Sequence, residues 1–184
     1  MNQWLLREFD TRLDVGLPPF YSRWGALPES TAARYLAYVN IDPTTPVAFK
    51  TVPSGEFYEV RRYADSAFAV LERAVPEVAA EIRSLLTEIV FVSPELNKAS
   101  KFGGATSFFC FGAMFLNADE HRALVSMIDG LTHESAHAYL FSLSLGDPFV
   151  ANKDDEFYHS PLRSDPRPLD GTFHATYVSA RLHD

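Results

Sequence analysis

Cysteine is almost missing from this 184-residue chain: Cys110 is the only one. A single thiol excludes an internal disulfide and any zinc site built on several cysteines. Positive charge is scarce as well. Sixteen Lys and Arg stand against 24 Asp and Glu, a formal net charge of −8, which argues against a general nucleic-acid binder, because phosphates need a basic surface. Long apolar runs are also missing: no stretch comes near the roughly 20 residues that a membrane-spanning helix requires. The N-terminal MNQWLLREFDTRLD carries charges inside its apolar pattern. It does not read as a signal peptide, so the expected location is cytoplasmic.

Aromatic residues, by contrast, are plentiful. Fifteen Phe and eight Tyr suit a bulky core or an apolar-walled pocket. The length allows one domain with a real core, and no internal repeat or low-complexity segment divides it. Residues 3–14 read as a short amphipathic helix, 16–28 as a Pro/Gly connector, and Pro28-Glu29-Ser30 as the opening of a helix to about residue 40. IDPTTP reads as a loop and VAFKTV as a short strand. Residues 56–74 read as a helix with Phe57, Val60, Ala64, Phe68 and Leu71 inward, and Pro76 as the start of another to about residue 88. EIVFV (88–92) is a short apolar strand and FGGATS a Gly-rich turn. SFFCFGAMFLN (107–117) reads as a strand with Gly112 as a bulge or close approach. Asn117-Ala118-Asp119-Glu120 supplies start chemistry for a helix from about 119 to 145, ended by Gly146-Asp147-Pro148. Residues 147–171 read as a long polar loop, and 172–182 as a last helix or strand. The expected fold is α+β: a mostly helical single domain, with a helical part over 1–100 and a metal-site part over 107–182. A small sheet is expected beside the helix of residues 119–145.

That helix contains LTHESAHAYL, residues 131–140, which spells H-E-x-x-H with His133, Glu134 and His137. Residues four apart project from one helix face, so the two imidazoles can hold one cation. Glu134 lies one position round, where it can reach a metal-bound water without being a ligand. A third protein ligand is needed. Leu140 and Leu143 occupy the positions where a metzincin has Gly and His, which removes that reading. Glu156, His159 and His174 remain as candidates.

Three blocks, GAMFLN (112–117), HESAH (133–137) and SPLR…DPRPLDGTFH (160–174), together resemble the family of H-E-x-x-H-type 2-oxoglutarate-dependent peptide β-hydroxylases of ribosomal peptide pathways. The resemblance covers roughly residues 107–182. It implies that His133, His137 and His174 ligate Fe(II), and imidazole suits iron as well as zinc. It also implies that 2-oxoglutarate and O₂ take the remaining positions. The co-substrate is a dianion whose far carboxylate needs a cation; Arg163 and Arg167, just before His174, each offer a bidentate fork, with Arg167 slightly ahead. Glu134 then orients a water, positions the peptide or holds a ligand in place. Tyr158 and His159 are candidates for the pocket wall. The implied partner is a peptide, with or without a leader segment, and neither nucleic acid nor membrane. The strand SFFCFGAMFL is read as a buried support for the metal-site helix or as a docking edge for an extended peptide. Cys110 is read as a small buried hydrophobe.

The alternative is a zinc peptidase or amidohydrolase with Glu134 as general base and a third ligand from Glu156 or His174. It leaves Arg163 and Arg167 without a role.

Overall fold

The structure, a computed structural model, describes residues 19–40, 46–95, 102–144, 147–153, 155–160 and 166–183. The sequence segment EIVFVSP forms the central strand Glu88–Pro94 (β3), buried on both faces over Glu88–Val92. A continuous apolar run is what a strand covered on both sides requires. Ala113–Asn117 (β5) runs parallel along one side of it, with Ile89 opposite Met114 and Phe91 opposite Leu116. Phe20–Arg23 (β1) runs parallel along the other side. Phe49–Lys50 (β2) pairs antiparallel with Ser93 and Pro94 at the end of β3. Gly104–Thr106 (β4) lies antiparallel on the outer side of β5, giving the order β1-β3-β5-β4.

Helices cover both faces. Glu29–Val39 (α1) opens after Pro28 and places Tyr35 edge-on to Phe115 at 5.2 Å. The Tyr35 hydroxyl donates to Glu88 Oε2 at 2.7 Å, and Ser22 donates to the other oxygen. Those two bonds satisfy a carboxylate that would otherwise be costly to bury. Ser54–Ala74 (α2), Pro76–Leu85 (α3) and Leu124–Leu143 (α4) share the opposite face. Val60, Ala64, Phe68 and Leu71 point inward as their spacing predicts, and Phe57 packs 6.1 Å from the Phe91 ring. The last helix, Leu169–His183 (α5), lies on α4. A hairpin of Phe157–Tyr158 (β6) and Arg167–Pro168 (β7) precedes it. The chain is therefore an α+β single domain with its core between the sheet and the α2–α4 layer. Among the described residues no helix is long and apolar enough to cross a membrane.

Several elements differ from their sequence reading. The connector of 16–28 contains β1, whose four residues gain their stability from pairing with β3 rather than from their own propensity. FGGATS is the strand β4, not a turn. Residues 107–117 split into a 3₁₀ turn at Phe108–Cys110 and β5, joined through Gly112 at φ +93°, a backbone conformation that favours glycine. The long helix starts at Leu124 rather than 119; Asn117 Oδ1 accepts from Asp119 N at 3.0 Å and shapes a turn instead. The loop of 147–171 contains the β6–β7 hairpin. The expected helix of 3–14 and the stop at Gly146 lie outside the described residues.

Candidate functional site

Helix α4 is seated before it reaches its histidines. The His121 ring, whose Nδ1 lies 2.8 Å from Asn117 O, rests against Gly130. A Cβ at Gly130 would stand 2.3 Å from His121 Nε2, so only glycine permits this approach. Met127, Leu131, Ala138 and Leu140 are buried and fix the rotation of the helix. Its remaining stripe, at spacing four, carries His133, His137 and Phe141. The His133 and His137 rings are 5.2 Å apart, and Phe141 lies 6.4 Å beyond His137.

His174 joins from α5. Its ring is 6.0 Å from His137 and 5.2 Å from Phe141. The third imidazole thus meets the second, His137, across an interface between two helices. Arg181 holds that interface: it pairs with Glu81 of α3 at 2.7 Å and stacks over Tyr139 of α4 at 4.7 Å.

All three imidazoles are pushed toward the neutral form. Burial lowers His137 to about 4, helped by His133 and His174 beside it. Burial also lowers His133, against the pull of Asp129, and His174, against that of Asp170. A neutral imidazole offers the lone pair that a metal takes.

With metal–nitrogen bonds of about 2.1 Å, ring centres on one ion stand roughly 5 Å apart. The His133–His137 spacing meets that value, and the His137–His174 spacing exceeds it by about 1 Å. Correspondingly, among the described residues no three His, Cys, Asp or Glu groups have donors converged on one point. His174 Nε2 faces Asp170 Oδ1 at 3.6 Å, one turn back on its own helix. The donor set thus has the chemistry of a three-imidazole site, with its third member engaged beside it.

Glu134 is 6% exposed and faces β4. Thr106 donates to its Oε2 at 2.9 Å. Gly104 leaves room for the other oxygen; a Cβ there would stand 2.8 Å from Oε1 and 3.0 Å from Phe115 O. Burial pushes the Glu134 carboxyl up to about 7, with the Thr106 bond acting the other way. The carboxyl group clamps α4 to the outermost strand.

The remaining sequence candidates are placed as follows. Arg167 sits in β7 opposite Tyr158, two residues before α5 begins. The Tyr158 hydroxyl lies 3.0 Å from Glu156 Oε2 and 2.8 Å from Asn152 Nδ2, so it ties this loop together. Glu156 is exposed and spent on that same network, outside the imidazole group. His159 is exposed and is not among the rings in contact there. Arg163 lies outside the described residues. Sequence reasoning missed Phe141, Asp170, Thr106 and Arg181. The first two had a signal, since each stands four residues from a histidine on its own helix. Thr106 had none.

Compared with known proteins, the chain matches no family model and no curated protein.

Proposed function

We propose that this protein is an Fe(II)- and 2-oxoglutarate-dependent oxygenase that hydroxylates a β-carbon of a ribosomally made peptide. The observation that carries the reading is the run of ring contacts from His133 to His137 and from His137 to His174, three imidazoles from two helices, all pushed toward the neutral form. These three would hold the metal. When bound, iron with 2-oxoglutarate and O₂ supplies the oxidising power to break a C–H bond, leaving succinate and CO₂. The chain's own residues orient and exclude. Arg167 offers a planar fork to the far carboxylate of the dianion, and Arg163 is the second cation in that role. Phe141 covers the flank of His137 and His174 and keeps water from it. Glu134, clamped to Thr106, holds the helix that aims His133 and His137 and acts as a positioning residue. Tyr158, opposite Arg167 in the hairpin, and His159, the residue after it, would stand in the outer wall. A cytoplasmic location suits both ferrous iron and an unpaired Cys110.

The test is optical. Metal-free protein is loaded with Fe(II) without oxygen, 2-oxoglutarate is added, and the visible absorption is recorded. A charge-transfer band that Arg167→Ala weakens is the expected result. Bound iron with no band on adding 2-oxoglutarate would overturn the assignment.

One observation favours a second reading, a zinc hydrolase. The Glu134 carboxyl group, next to His133 in the chain, is pushed up to about 7 by burial, the range in which general-base work at neutral pH is efficient. Glu134→Gln separates the two: it abolishes hydrolysis by the zinc-loaded protein and leaves the iron–2-oxoglutarate band in place.

A further inference from the structure

The notion that residues 107–117 offer a docking edge fails on topology, because β5 is paired on both sides. The outer strand is β4, and among the described residues nothing pairs with its far side. Asn117 N donates to Gly103 O, and the register steps from there to Gly104 opposite Leu116 and Ala105 opposite Phe115. Antiparallel pairs alternate between bonded and non-bonded. Ala105 therefore bonds inward to β5, while the N–H and C=O of Gly104 and Thr106 point outward.

At the end of this edge lies a cavity of about 300 Å³. Tyr38 and Val39 of α1 form one wall, Phe108 and Phe109 another, and Phe141 of α4 the third. The rings brace one another: Tyr38 on Phe109 at 5.9 Å, Phe108 on Phe141 at 6.1 Å. Phe108, Phe109 and Phe111 are 40%, 62% and 41% exposed. Leaving three large apolar side chains in water within four residues is costly, and such a patch marks a binding surface. The Thr106 and Ser107 hydroxyls in the lining are engaged, Thr106 with Glu134 and Ser107 with Phe109 N. The cavity adjoins the imidazole group across one of its own wall residues, Phe141, whose ring also packs against His137 and His174.

We infer that the outer edge of β4 and this aromatic pocket seat an extended peptide, with one large apolar side chain of the peptide entering the pocket. An outward ladder beside an apolar pocket is the pairing that strand addition uses: main-chain bonds hold the peptide and the pocket selects it. A three-residue edge with one small pocket falls far short of the roughly 1,200 Å² that a stable dimer buries, so the occupant is a peptide rather than a second copy. This rests on reading the imidazole group as the reaction centre, and it specifies the substrate: a peptide carrying Phe, Leu or a similar side chain close to the residue that reacts.

The test is direct binding to the full-length, metal-free chain, so the result stands whether or not iron and 2-oxoglutarate prove to be the chemistry. Labelled, end-blocked peptides Gly-Ala-X-Ala-Gly, with X = Phe, Leu, Ala or Lys, are titrated by fluorescence anisotropy. The Phe and Leu peptides are expected to bind about tenfold or more tighter than the Ala peptide. N-methylation beside X is expected to weaken the Phe peptide about tenfold through the lost main-chain bond. Phe109→Ala, at an exposed position, and Val39→Phe, which fills the cavity from the opposite wall, are expected to erase the preference for Phe while circular dichroism stays unchanged. Equal binding of all four peptides, a preference that survives both variants, or no binding by about 1 mM would overturn the proposal. So would a dimer, seen by sedimentation, that Phe109→Ala dissociates.

Discussion

Helix α4 brings two of the three imidazoles and is built into the core, whereas α5 brings the third and lies against it. On α4, Met127, Leu131, Ala138 and Leu140 are buried, Gly130 is pressed on His121, and Glu134 is clamped to β4. On α5, Val178 is the buried apolar side chain, and Arg181 supplies the polar ties to α3 and α4. The pair of histidines on α4 is therefore preformed. The contribution of His174 depends on how α5 docks, and its ring stands about 1 Å wide of a shared ion and faces Asp170. One half of the candidate site is set by the fold, and the other by a lighter contact.

The largest expected effect comes from breaking the preformed half. His137→Ala should lower metal affinity by more than about 100-fold, beyond what loss of a supporting residue causes; calorimetric titration measures it. Next comes a matched pair of substitutions. Gly130→Ala on α4 drives a Cβ into His121 and should destabilise the fold by about 1–3 kcal/mol. Gly171→Ala on α5, where the nearest atoms stand 3.9 Å away, should be stabilising by about 0.5–1 kcal/mol. Urea unfolding of both variants compares the two helices directly. Arg181→Ala should cost only about 1 kcal/mol of stability, yet lower metal affinity about tenfold by loosening α5.

The smallest effect concerns pH in the metal-free protein. His137 is neutral in the fold down to about 4, against an ordinary 6.5, so its contribution is whole above 6.5 and is lost as pH falls toward 4. Glu134 works in the opposite sense: it stays protonated up to about 7, against an ordinary 4.5, so its contribution is whole below 4.5 and is lost as pH rises toward 7. Between those values the two slopes oppose each other. Glu134→Gln should therefore make stability rise more steeply with pH than in the wild type. Urea midpoints at about pH 5 and 6.5 will read the difference.

The same contrast governs what could be read from the sequence. The helix under the motif and the spacing of His133 and His137 were legible because helix signals and helical periodicity are local. His174 was one of three candidate third ligands in the sequence and only a resemblance singled it out, because its neighbourhood depends on how α5 docks. β4 was hidden because Gly103-Gly104 reads as a turn. Gly104 is there for a different reason: the Glu134 carboxylate and the Phe115 carbonyl leave no space for a Cβ, and nothing in the local sequence signals that approach. β1 was hidden because its stability comes from β3, 66 residues away at the Ser22–Glu88 bond.

The central claim is that His174 of α5 completes a metal site begun by His133 and His137. The most direct measurement is anaerobic Fe(II) titration of the wild type, His174→Ala and His159→Ala, each checked for folding by circular dichroism. The expected result is one ion per chain in the wild type, affinity lost in His174→Ala, and affinity unchanged in His159→Ala. Wild-type affinity in His174→Ala would contradict the claim and leave the two histidines of α4 without the partner assigned to them.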